Sequence, residues 1–169
     1  IGGAGLKRDD PDFIPAYIAN HILGGGTFSS RLYNEIREKR GLAYSVGTGL
    51  IPYDHSGAYV AAAATRADAA DEAIDIMKAE IERYAAEGPS EEELRKAKAY
   101  LTGNYALRFD ASRKIARQLI GIQIDNLGID YIAKRNSLIE AVTIEDIKRA
   151  SKRLFGGPIS VVTVGTSSS

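Results

Sequence analysis

The chain has 169 residues, enough for one domain with a sizeable core, and its 44% apolar and 26% charged residues exclude wholesale disorder. Its 22 basic and 22 acidic residues argue against a nucleic-acid surface as the main function, and with no cysteine it has neither a disulfide framework nor thiolate chemistry. No apolar run approaches the roughly 20 residues needed to span a bilayer.

IGGAGL, at the start, reads as a short strand weakened by three glycines. The chain opens without Met, and this start is read as a cut inside a strand, with any targeting information lying elsewhere. Pro11 opens a helix through about Leu23, with Ile14, Tyr17, Ile18, His21 and Ile22 on its apolar face. Gly24-Gly25-Gly26 is expected to break that helix. Phe28 to Arg40 is the next, capped by Ser29 or Ser30, with Leu32 and Ile36 facing inward and Gly41 as the residue that lets the chain leave. Leu42 to Ile51 reads as a strand with Leu42, Tyr44 and Val46 on one side; YDHSG is a turn, and Gly57 to Thr65 returns as the second strand of a hairpin. That second strand, AYVAAAAT, is built of small residues, so something packs closely on it.

The remainder is mostly helical. Asp68 caps a long helix to about Glu87, with Ile74, Met77, Ile81 and Tyr84 as its buried stripe, and Gly88-Pro89 stops it. Ser90-Glu91-Glu92-Glu93 has the form of a capping box, and the helix it starts carries Leu94, Ala97, Leu101 and Tyr105. Ser112 to about Asn126 follows with Ile115, Leu119 and Ile122, then shorter helices over Asp130 to Glu140 and Thr143 to Phe155. ISVVTVG reads as a last strand buried on both faces, and the closing serines are expected to fray. A hairpin with grouped rather than alternating helices makes the fold class α+β: an antiparallel-rich mixed sheet with helices packed on one face. No linker or long repeat divides the chain, so 1–169 reads as a single domain.

Most of the usual catalytic patterns are missing. GGGTFSS follows a helix and has no lysine to reach a phosphate, so it is not a phosphate loop. Its three glycines do leave backbone that a peptide can approach closely, which makes Gly24, Gly25 and Gly26 candidate substrate contacts. The two histidines, His21 and His55, are far apart and belong to no H-x-x-E-H pattern, so no metal ligands are expected in this chain. No G-x-S-x-G elbow supports a serine nucleophile. The carboxylates at 91–93 and the basic stretch RFDASRKIARQ read as solvated helix faces.

What remains is SSRLYNEIREKRGLAYSV. Arg37 stands one turn before Gly41, and Tyr44 three residues after it. A cation at a helix C-terminus and a core tyrosine would explain the two separately. Alternatively, the helix-turn-strand corner brings guanidinium and phenol together, and such a pair suits a substrate carbonyl or a developing oxyanion. Neither group activates a water by itself, so the pair would be half of an active site.

These residues carry a resemblance. DDPDF, ILGGGTFSSRLYNEIREKRGLAYSV, the Gly88-Pro89-Ser90 helix start with its EEEL and KAK, and the closing VVTVG are similar to the C-terminal domain of the M16 (pitrilysin-type) zinc peptidases. The likeness is to the bacterial members related to mitochondrial processing peptidase, and it covers nearly the whole chain. It implies a second domain lying over a first one that holds zinc on an H-x-x-E-H helix, whose glutamate is the general base. The two would enclose a peptide substrate as a clamshell. It also implies that Tyr44 hydrogen-bonds the oxyanion and that Arg37 holds the substrate backbone. Zinc would then be a cofactor of the complete enzyme, bound by another domain or subunit, and this fragment alone would be inactive. Three arrangements stay open: the C-terminal half of a polypeptide that carries H-x-x-E-H, acting alone or as a homodimer; a zinc-free subunit of a heterodimer; and a purely structural assembly protein. The compartment and the substrate peptide are not readable.

Overall fold

In the computed structural model, which describes residues 1–165, the sheet grows from one hairpin. β2 (Ala43–Pro52) and β3 (Gly57–Thr65) pair antiparallel. The Tyr53 N–H donates to the Ser56 carbonyl at 2.9 Å to close the turn. β1 (Gly2–Ala4) lies antiparallel on the other side of β3, and β4 (Ile159–Ser160) antiparallel on β1, giving the order β2-β3-β1-β4. The expected α+β class is what the chain adopts.

Alternation along the hairpin sorts its two faces. Val46, Leu50, Tyr59 and Ala61 point into the core, while Ser45 and Ile51 of β2 and Val60, Ala62 and Ala64 of β3 are exposed on the opposite face. Helices cover only the first. α1 (Phe13–Asn20) runs through the middle of the core, with α6 (Ile144–Phe155) against it and against α2 (Ala70–Glu87). Phe155 lies edge-on to both Tyr59 and Tyr84, at centroid distances of 5.1 and 5.9 Å. α3 (Glu91–Gly103), α4 (Ser112–Ile124) and α5 (Tyr131–Glu140) complete the layer. α3 begins with the expected capping box: Ser90 Oγ accepts from the Glu93 N–H, and Glu93 accepts from the Ser90 N–H at 2.8 Å. Thr143 and Asp146 build a second one at the start of α6, which was not foreseen. No helix among the described residues is long and apolar enough to cross a membrane.

DDPDF is a clamp. Arg153 of α6 binds Asp10 in fork geometry, at 2.8 and 2.6 Å, and Asp12 at 3.0 Å, while Arg149 reaches Asp12 at 2.9 Å. The first loop is thereby tied to the last helix.

Four expectations need correction. The first helix begins at Phe13 rather than Pro11. It is buried nearly all round, with Phe13, Ala16, Ile18 and Ala19 inside and Ile14 and Tyr17 only half-buried, because it crosses the core instead of lying on its surface. The glycine run does end it, but later than expected: the helix first widens into a π-turn over His21–Gly25 and stops at Gly26. α4 buries only Ile122 of its apolar stripe, leaving Ile115 and Leu119 exposed, because no other element among the described residues covers that side. The final run is paired only at Ile159–Ser160, and Val164 is 94% exposed. The register sets Ser160 opposite Gly2, so beyond Val161 the run has no partner strand among the described residues. The serines expected to fray lie in 166–169, outside the described residues.

Candidate functional site

The segment that carries Arg37 is fixed at both ends. At its start, Arg31 grips the α2–α3 corner. Its Nε and Nη2 donate to the two Glu93 oxygens at 2.6 and 2.7 Å, and Nη2 also reaches the Gly88 carbonyl at 3.3 Å. Its Nη1 lies 3.6 Å from Oε1 of Glu80, a carboxylate only 4% exposed, and its guanidinium stacks 4.8 Å from the buried Tyr84 ring. Burial would raise the Glu93 carboxyl, but Arg31 and the Ser90 cap outweigh it and hold it down at about 2.

At its end, the helix closes at Gly41. This residue takes φ +62°, where no other atom would meet a Cβ, so the glycine is there for its backbone and not for space. Its N–H donates to the Arg37 carbonyl at 3.0 Å, the αL form of helix closure. Between the two ends the helix is π-wound over Tyr33–Glu38, with Lys39 N–H donating to Asn34 O. Such widened turns recur at functional sites because they shift side chains off the regular α-helical spacing.

The Arg37 guanidinium consequently lies between two rings, 5.0 Å from the Tyr33 centroid and 5.5 Å from that of Tyr44. Phe28, itself exposed, packs edge-on to Tyr33 at 5.2 Å and extends the row. Tyr44 is no core residue. A β-bulge between Ala43 and Ser45 takes it off the alternation that Leu42 and Val46 predict and leaves it 84% exposed. Among the described residues no carboxylate lies within ion-pair distance of Arg37, whereas Glu35 beside it is held by Lys39 and Arg40. The corner therefore presents an unpaired cation and an exposed phenol together. Charge-assisted donation to a carbonyl or oxyanion is the chemistry that pair can perform. Phe28 and Tyr33 were missed as members of this row. Their spacing from Arg37 looks like ordinary helix packing until the π-winding is known.

The glycines are placed differently from one another. A Cβ at Gly24 would lie 2.6 Å from Thr48 Cγ2 and 2.8 Å from its backbone nitrogen, and one at Gly26 would meet the His21 carbonyl at 2.8 Å. Both are buried, and close packing accounts for them. Gly25 alone of the three is exposed. His21 stacks on Tyr100 at 5.0 Å, and burial lowers its pKa, which favours the neutral ring. His55 is exposed in the hairpin turn. Among the described residues no group of three or more His, Asp or Glu is arranged to hold a metal ion.

Residues 1–101 match the family model described as the peptidase M16 inactive domain. The chain is 27% identical over 168 residues to an uncharacterized zinc protease of Streptomyces coelicolor, covering 98% of this chain and 36% of that one. It is 32% identical over 148 residues to another of Rickettsia bellii, covering 85% of this chain and 35% of that one. The chain thus spans about a third of the length of these curated relatives. A crystal structure of a peptidase M16 inactive domain from Pseudomonas fluorescens superposes with a TM-score of 0.81 at 32% identity, over 90% of this chain and 36% of that chain.

Proposed function

The chain belongs to the peptidase M16 inactive-domain family, and we propose on that premise that it is the zinc-free half of a zinc endopeptidase. It completes the peptide-binding chamber and supplies Arg37 and Tyr44 to the substrate. The observation that carries this reading is the unpaired Arg37 guanidinium held 5.5 Å from the ring of an exposed tyrosine. An arginine this well anchored, with no carboxylate of its own, is poised for an external acceptor. The uncovered sheet face supports the same reading. Its exposed Ser45, Ala62 and Ala64 offer a wall along which an extended peptide can pass.

In this role the Arg37 guanidinium donates to a substrate backbone carbonyl and fixes the chain in register. The Tyr44 hydroxyl donates to the oxygen of the scissile carbonyl as negative charge develops there. Zinc and the general base belong to an H-x-x-E-H domain. The greater length of relatives named zinc proteases favours that domain in the same polypeptide over a separate catalytic subunit.

Arg37→Ala is expected to lower kcat/KM for peptide hydrolysis by about 10- to 100-fold, the worth of one charge-assisted hydrogen bond. KM should rise as well as kcat fall, because a group that holds the backbone acts in ground and transition states alike. An unchanged kcat/KM in a folded variant would remove Arg37 from the site. The 169-residue chain by itself is expected to hydrolyse no peptide and to purify without stoichiometric zinc. One equivalent of zinc by elemental analysis would overturn that expectation.

A further inference from the structure

A second polar site lies away from the Arg37–Tyr44 corner. α1, the far end of β2, α4 and α5 border a half-open cavity of about 460 Å³. Four arginines, Arg8, Arg108, Arg117 and Arg135, line it against one carboxylate, Asp125. Asp125 is taken up by Arg8, whose Nε lies 3.4 Å away. Among the described residues no carboxylate pairs with Arg108, Arg117 or Arg135.

Arg135 is the telling member, because it is only 5% exposed. One of its nitrogens, Nη1, donates to the Leu101 carbonyl at 3.1 Å and to Asn136 Oδ1 at 3.2 Å. The guanidinium lies 4.2 Å from the Tyr105 ring centroid. Its other donors have no protein acceptor among the described residues. A buried cation without a counter-charge is costly, and ring contacts offset only part of that cost. Two further lining groups are buried without a hydrogen-bond partner, the Tyr105 hydroxyl and Asn20 Oδ1. Buried orphans of this kind call for a bound species. A neutral occupant would leave the arginines without a counter-charge. The volume lies within the range of small-molecule pockets and far exceeds what a bare inorganic ion fills. Tyr17, Tyr105 and Tyr131 supply flat apolar walls.

We propose that this cavity binds a small organic oxyanion, a carboxylate or phosphate ester carrying a flat apolar body. The inference stands on the cavity alone and does not depend on the peptidase reading. Titration calorimetry of the chain at fixed ionic strength tests it, with phenyl phosphate, benzoate and uncharged benzyl alcohol as probes. Saturable binding is expected for at least one anion and none for the alcohol, and the tighter of the two anions separates a phosphate ligand from a carboxylate one. Arg135→Gln removes the buried cation but also risks the fold. The combined exposed changes Arg108→Ala and Arg117→Ala therefore provide the decisive variant, with binding expected to weaken at least tenfold. Failure of both anions to saturate, equal binding of the alcohol, or full affinity in the double variant would each overturn the proposal.

Discussion

Tyr44→Phe is expected to lower kcat of the proposed peptidase by about 10²–10³, the usual cost of one oxyanion donor, while leaving the fold intact. Both halves of that expectation come from the same geometry. The phenol is exposed, and Tyr44 makes its contact with Arg37 through the ring, which phenylalanine keeps. Only the hydroxyl is lost. Thermal stability should therefore be unchanged, and Arg37 should stay in place. Because the hydroxyl is asked to act where charge develops, kcat and kcat/KM should fall together with little change in KM. Steady-state hydrolysis of a quenched fluorescent peptide by the full-length protein measures this directly. A variant with wild-type kcat would show that Tyr44 does not reach the oxyanion, and would leave it as a ring packed on Arg37.

The contrast with Arg37→Ala is informative. Removing the guanidinium also removes the group between the Tyr33 and Tyr44 rings, so the row loses its spacing as well as its charge. An effect on both KM and kcat there, beside an effect on kcat alone at Tyr44, would assign the two residues different duties. Equal effects of one kind would merge them.

Much of this was legible in the sequence because local rules govern it. The hairpin, the stop at Gly88, the capping box at Ser90 and the left-handed closure at Gly41 each rest on a few adjacent residues, and each is in place. The misses lie where distant residues decide. α1 reads as amphipathic over its own length, but α3, α5, α6 and the sheet surround it, and burial overrides the pattern. The glycine run reads as an immediate break because glycine is a poor helix former. Thr48, some two dozen positions away, instead requires that glycine so that the turn can lie against β2. The valines after Ser160 read as a buried strand because their composition carries no information about whether a partner strand is present. The pair itself was found from spacing and resemblance. The bulge that exposes Tyr44 and the π-winding that aims Arg37 leave no signature in the residues that form them. Arg31 was overlooked for the same reason, since Gly88 and Glu93, which it grips, stand more than fifty residues downstream.

Arg31 carries the second large effect. Arg31→Met keeps the length and apolar bulk of the side chain but leaves Glu93 without its cation and deprives buried Glu80 of one neighbour. Breaking a buried pair from one side costs about 3–5 kcal/mol. Arg83 still reaches Glu80, and Glu93 is partly solvated, so the low end, about 3 kcal/mol, is expected. For a domain of this size that is a fall in Tm of about 6–12 °C. The pH dependence distinguishes lost charge pairing from lost packing. Glu93 ordinarily titrates at 4.5 and is held at about 2 in the folded protein, so its contribution is complete above 4.5 and disappears as pH falls towards 2. The difference in Tm between wild type and Arg31→Met should be widest near neutrality and should narrow below pH 4.5. A gap that is the same at pH 3 and pH 7 would mean that Arg31 stabilises through its contact with the Tyr84 ring and not through the carboxylates. Either result bears on the proposed role of Arg37. Arg31 stands six residues before it on the same helical segment, and the corner that holds Arg37 between two rings is only as fixed as the anchor behind it. At temperatures where the variant remains folded, the loss of stability should be accompanied by a loss of kcat/KM that Arg31→Lys, which restores the charge without the fork, repairs only in part.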